Sequence, residues 1–267
     1  MSTDENIVSR DDFVTVQLAG TAAPASDRVI NPTTTTKWRY TTMMVNNLYK
    51  LLVNKNHVLI AGSSGCGKST LIRSLLFTVL ATKPEAQLYL IDPKRLDLRK
   101  FDKVKNTVRR TKEMSEHIAV LNDLIDIMEE RFADCEARDL DITDKPDIYV
   151  VIDEAADLLL DRANGKEIEK MIIKLVALGR AARIHVIYAT QTILKETCGT
   201  LIRNNFDCIV GMKTATAIQS RTIFGLSGTE KLPDHGVACI QMNGTIEMYK
   251  IEPTPENDFN TVLEYRR

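Results

Sequence analysis

Lys68 and Ser69 close a stretch whose residue types point to one kind of ligand. Gly62, Gly67, Lys68 and Ser69 occupy the fixed places of G-x-x-x-x-G-K-S, with Ser63, Ser64, Gly65 and Cys66 between them and Thr70 directly after. Glycines let successive backbone N–H groups curl around phosphate oxygens, and a helix starting there adds the partial positive charge of its first turn. In such a loop Lys68 reaches the β- and γ-phosphates of a nucleotide, and the Ser69 hydroxyl holds Mg²⁺. The flanks suit the motif: the apolar run HVLIA precedes it, and helical spacing resumes at Thr70.

A second set of candidates lies downstream. Asp153 and Glu154 follow an apolar run at residues 148–152, and the carboxyl end of a buried strand is where open α/β sheets bind ligands. There Asp153 is expected to bind Mg²⁺, and Glu154 to orient or deprotonate an attacking water. The plainer alternative is that the pair caps the next helix. Gln191 ends another apolar run, a place from which a side-chain amide reaches the γ-phosphate and the water. An ordinary strand-end polar residue is its alternative. Arg180, in GRAARIH at the end of a helical stretch, is a guanidinium that a neighbour's nucleotide would use. A solvated arginine is equally expected at a helix C-terminus. Cys66 is read as a small filler of the loop, with oxidation sensitivity as the alternative.

Placing these groups falls to alternating strands and helices. A helix over residues 40–53, with Met44, Leu48 and Leu51 on one face, leads into the first strand. Strands at 87–92, 148–152, 184–191 and 207–212 are separated by helices near 112–137, 165–182 and 193–203. Ile118, Leu121, Ile125, Met128 and Phe132 form a core stripe on the first of these helices. Ile168, Ile172, Leu175 and Leu178 do so on the second. A helix over 217–224 precedes GVACIQM and TIEMYKI, joined by Asn243-Gly244, the dipeptide that two-residue hairpin turns favour. That hairpin is expected to extend one edge of the sheet, and a short helix follows Pro255. Phe13 to Leu18 reads as a short strand within a linker-like arm of residues 1–39. The pattern as a whole predicts an α/β layered sandwich on a mostly parallel sheet.

Composition narrows the function classes. A chain of 267 residues suffices for one large α/β domain. The formal net charge of −1 rules out coating nucleic acid by bulk positive charge. Any such contact must come from a local patch, or from a ring of subunits pooling a few basic groups. Arg183, Arg203 and Lys213 are candidates only in that sense. The five cysteines are scattered without a C-x-x-C pair, so neither a disulfide framework nor a zinc site is expected, and a reducing cytoplasm is. No apolar run approaches the roughly 18 residues of a membrane span, and the N-terminus does not read as a signal peptide.

Beyond the loop, IDPKRLDLRKFD, MEERF, YVVIDEAADLLL, GRAARIHVIYATQ, GTLIRNNF, QSRTIFGLSGTEKL and HGVACIQ follow in that order. Together they resemble the motor domain of the FtsK/SpoIIIE family of DNA translocases, from about residue 57 onward. The resemblance implies a RecA-like P-loop NTPase over residues 40–267, a three-layer sandwich with a C-terminal antiparallel hairpin. It also implies ATP and Mg²⁺, a hexameric ring around double-stranded DNA, and translocation of that duplex by ATP hydrolysis. Carried over by motif, Lys68 and Ser69 handle nucleotide and Mg²⁺, and Asp153 and Glu154 are the acidic pair. Gln191 is the sensor, and Arg180 is the arginine offered across the subunit boundary. Arg221 in SRTIF matches a further family arginine near the interface.

The departures from the family pattern are also informative. About sixty residues precede the loop, too few for the family's full second tier, and neither a membrane-spanning region nor a winged-helix module is expected. ATQTI stands where the family has ATQRP, and GRAARIH where it has ARAAGIH. These features suggest a motor of a mobile element in conjugation, segregation or packaging, with a membrane or the conjugation machinery as a further partner. A protein-export motor like the type VII secretion ATPases is the alternative. A single copy and the lack of an anchor count against it.

Overall fold

Apolar residues that alternate in facing set the architecture. Val58 and Ile60 of β2 (His57–Ala61) join one hydrophobic core, and Leu59 and Ala61 join another. A strand buried on both faces needs helices on both sides. The computed structural model, which describes residues 39–41 and 45–265, has that arrangement. On one face lie α1 (Val45–Val53), α2 (Lys68–Thr82) and α9 (Glu256–Tyr265). The other carries α3 (Met114–Arg138), α4 (Ala155–Leu159), α5 (Gly165–Leu178), α6 (Lys195–Cys198), α7 (Thr200–Arg203) and α8 (Ala217–Phe224).

Among the described residues the sheet has nine strands, in the order β1-β9-β8-β7-β2-β6-β5-β3-β4. The run from β7 (Cys208–Gly211) through β2, β6 (Ile184–Thr190), β5 (Ile148–Ile152) and β3 (Gln87–Ile91) to β4 (Thr107–Thr111) is parallel throughout. The hairpin of β8 (Val237–Met242) and β9 (Thr245–Lys250) adds to β7 antiparallel. The fold is therefore the expected three-layer sandwich. Because the inner strands are parallel, the segments leaving β2, β3, β5 and β6 all emerge at one end of the sheet.

Several local expectations change. β1 (Arg39–Thr41) runs parallel to β9, so the hairpin is not the edge, and Tyr40 belongs to a strand instead of opening α1. On α1 the buried face is Leu48, Tyr49, Leu52 and Val53, with Leu51 only half-buried. The strand expected at Phe13–Leu18, and Met44, lie outside the described residues. The helix expected over 193–203 is two single turns, because Gly199 between them is extended at φ −68°, ψ 172°. Leu178, expected inward, is exposed: α5 ends there, and the chain turns into β6 through Arg183 at φ 53°. β4 was not anticipated, because TVRRT offers no apolar alternation and its one valine, Val108, is exposed. Among the described residues, no helix is long and apolar enough to cross a membrane.

Candidate nucleotide site

The loop after β2 is held by its two neighbours in the sheet. Gly62 N donates to Thr190 O at 3.3 Å, and Ser63 N donates to Lys213 O at 2.8 Å. A Cβ on Gly62 would lie 2.7 Å from Cys66 Sγ and 2.9 Å from Met212 Cβ, so the close approach requires glycine. Gly67 precedes α2 at φ 105°, a left-handed conformation that also favours glycine. Gly67, the N-cap of α2, has no side chain to cap the helix, so among the described residues its first N–H groups are left for an anion. Ser64 and Gly65 are exposed, and Ser63, Ser69 and Thr70 are half-buried.

Lys68 is buried, and its ammonium donates to Gly62 O at 2.7 Å and Ser63 O at 2.8 Å. Burial lowers its pKa; Cys66 and Glu154 oppose that shift and the Lys94 charge adds to it. Burial pushes the Cys66 thiol up, which keeps it protonated and supports the filler reading. All five cysteines are buried free thiols.

Glu154, 3% exposed, leaves the end of β5 and is held from β6. Its Oε1 accepts Thr190 Oγ1 at 2.8 Å, and Gln191 N donates to both carboxylate oxygens at 3.0 and 3.1 Å. Lys94 Nζ stands 3.0 Å from Oε2. The Glu154 side chain makes no capping bond to α4, so the capping alternative has no support. Gln191 meets Glu154 through its backbone N–H.

Asp153 is buried, and among the described residues its Oδ2 has no hydrogen-bond partner. Its carboxyl is pushed up to about 7, first by burial and then by the Asp97, Asp92 and Glu154 charges, with Lys94 working the other way. An orphaned carboxylate oxygen among like charges is an arrangement that a divalent cation relieves. The Ser69 hydroxyl donates to Asp97 Oδ2 at 3.1 Å, which ties Ser69 to the same group of oxygens. The residues therefore fit Mg²⁺. Among the described residues no three His, Cys, Asp or Glu side chains form a closed metal cage.

Lys94 and Asp97 were not singled out from the sequence, although both follow a buried strand's carboxyl end, the signal that picks out Asp153. Their segment is pinned at both ends. Asp92, fully buried, accepts Leu98 N at 3.4 Å and an Arg110 guanidinium N–H at 2.9 Å. Arg110 also donates to Arg95 O at 3.2 Å and grips Asp102 through two N–H groups. The unanticipated β4 thus fixes a wall of the site.

The other basic candidates direct their side chains to other partners or to solvent. Arg180 is exposed, and its guanidinium has no partner among the described residues. It precedes β6, whose start pairs with the start of β2, so it sits a strand's length from the loop of its own chain. Arg183 pairs with Asp147 at 3.0 Å, Arg203 donates to the Thr222 and Ile223 carbonyls, and Lys213 donates to Leu232 O. Arg221 is exposed on α8.

Comparisons with known proteins bear on the chain as a whole and on its fold. The profile of the FtsK/SpoIIIE family matches residues 35–142 and 135–194. The DNA translocase FtsK of Borreliella burgdorferi is 32% identical over 203 residues, which cover 69% of this chain and 26% of that protein. FtsK of Chlorobaculum tepidum is 34% identical over 207 residues, with the same coverage of 69% and 26%. The chain thus spans about a quarter of the length of these curated relatives. Among solved structures, the conjugation coupling protein TcpA of pCW3, in a monomer form with ATPγS, superposes with a TM-score of 0.72 at 20% identity. That match covers 81% of this chain and 66% of TcpA. The cytoplasmic domain of the Thermomonospora curvata type VII secretion ATPase EccC gives 0.65 at 19% identity, covering 79% of this chain and 28% of EccC. At these identities the structures speak for the fold alone.

Proposed function

The chain belongs to the FtsK/SpoIIIE family, and from that premise we propose that it is a Mg²⁺-dependent ATPase that moves double-stranded DNA. The observation that carries the reading is Glu154, buried beside the phosphate loop and held by donors from the neighbouring strand. The N–H groups of residues 62–70 and the Lys68 ammonium bind the phosphates. Ser69 and Asp153 would hold Mg²⁺, which when bound neutralises phosphate charge. Glu154 accepts the proton of the attacking water, while Thr190 and Gln191 N keep its carboxylate in place.

In this reading residues 40–267 form the motor domain, residues 1–39 an arm, and six subunits a ring in the cytoplasm around the duplex. The distance of Arg180 from its own loop, and a guanidinium with no partner among the described residues, support a role in a neighbour's site. The DNA load is supported by the translocases among the relatives. The likeness to EccC concerns fold, so the export alternative gains nothing from it. The test is ATP turnover with and without long linear duplex. Stimulation at low salt that fades as salt rises is expected, because phosphate contacts weaken steeply with ionic strength. Turnover indifferent to DNA would overturn the reading, and stimulation by a secreted peptide alone would replace it with protein export.

A further inference from the structure

Glu154 does not face the site with a bare carboxylate. Thr190 Oγ1 and Gln191 N donate to Oε1, while Oε2 takes the same Gln191 N at 3.1 Å and faces Lys94 Nζ at 3.0 Å. An oxygen covered by an ammonium takes no proton from water until that ammonium moves away. The two partners differ in freedom, since the Lys94 side chain is 32% exposed and that of Glu154 only 4%. The Lys94 charge also acts on Lys68, Asp153 and Asp157, so it lies within electrostatic reach of the loop lysine. Its backbone is anchored by the bonds of Asp92 to Leu98 and Arg110 and of Arg110 to Arg95. The side chain can therefore change partners while the segment stays fixed.

We propose that Lys94 reads the terminal phosphate of the nucleotide, pairing with Glu154 when a diphosphate is bound and passing to the γ-phosphate of a triphosphate. The move frees the side of Oε2 that Lys94 covered, with Gln191 N still holding the oxygen in place, so the base meets the attacking water only when there is a bond to hydrolyse. A γ-phosphate between Lys68 and Lys94 offers more negative charge than one carboxylate, and charge-assisted bonds to phosphate are among the strong ones. A diphosphate ends within reach of the loop N–H groups and Lys68, with nothing to draw Lys94 from Glu154. Lys94 is thus a specificity residue for tri- over diphosphate. The inference rests on the ATPase reading above.

The experiment is equilibrium titration of the full chain with fluorescent ATPγS and fluorescent ADP in Mg²⁺, on wild type, Lys94→Gln and Lys94→Arg. Wild type is expected to bind both. Lys94→Gln should lose about 10- to 100-fold in affinity for ATPγS with ADP binding unchanged, the size of one charged hydrogen bond. Lys94→Arg should keep most of the ATPγS affinity. Equal losses for both nucleotides would overturn the proposal, because they mark a collapsed segment. Unchanged affinity for both would overturn it too, with the ATPase reading left standing. Wild type that binds neither nucleotide would remove the ATPase reading itself and the proposal with it.

Discussion

Thr190, the last residue of β6, donates its hydroxyl to Glu154, two residues past the end of β5, at 2.8 Å. The bond ties the ends of adjacent strands to one carboxylate, so the position of the base is a property of the sheet. Thr190→Val should cut kcat by about 10- to 100-fold, the cost of one hydrogen bond to a charged group. ATP affinity should stay unchanged, and Thr190→Ser should recover most of the rate. A parallel loss of nucleotide affinity would mean that Thr190 supports the fold of the site and does not orient the base.

Arg110 and Asp92 form the ion pair under the Lys94 segment, with side chains 5% and 0% exposed. Removing one partner leaves a buried charge uncompensated. Arg110→Gln should therefore destabilise by about 3–5 kcal/mol, read by urea unfolding. The double variant Arg110→Gln with Asp92→Asn should regain part of that loss. A single-variant cost below about 1 kcal/mol would show the pair to be solvated in practice.

His57 gives a pH dependence with a definite sign. It is buried, Val186 N donates to its Nδ1 at 3.2 Å, and its Nε2 has no partner among the described residues. Burial, aided by His185 and opposed by Asp207, pushes its pKa down to about 4. The unfolded chain takes up a proton below about 6.5, and the folded chain only near 4. Stability present at neutral pH is therefore lost as pH falls through that window, by about 2 kcal/mol between pH 7 and pH 5. Urea unfolding at the two pH values should show this loss in wild type and less of it in His57→Asn. Equal losses would place the titration elsewhere.

Arg180 should act on a neighbour's nucleotide if its placement far from its own loop has the proposed meaning. Rings mixed from Arg180→Ala and Lys68→Ala subunits should regain turnover that neither variant shows alone, since each supplies what the other lacks. No recovery in rings confirmed as mixed would assign Arg180 to the solvated surface.

What the sequence disclosed follows from how local each requirement is. Gly62 to Ser69 was legible because backbone N–H groups can cradle phosphate only over a short stretch of small residues. Ile148 to Ile152 and Ile184 to Thr190 were legible because strands buried on both faces must be continuously apolar. β4 was not, since an edge strand whose work is to carry Arg110 needs no apolar pattern. Lys94 and Asp97 were missed because their partners, Glu154 and Ser69, lie 60 and 28 residues away in the chain. Only the sheet order brings them together. Leu178 followed the helical stripe in sequence, but the helix ended beneath it.

The most direct test of the central claim is displacement of a short third strand from one end of a long linear duplex by the full chain with ATP and Mg²⁺. The account predicts displacement that needs hydrolysis, ceases with ATPγS or with Glu154→Gln, and slows as the duplex ahead of the third strand lengthens. ATP turnover with no displacement would contradict it, leaving an ATPase that does not move along DNA.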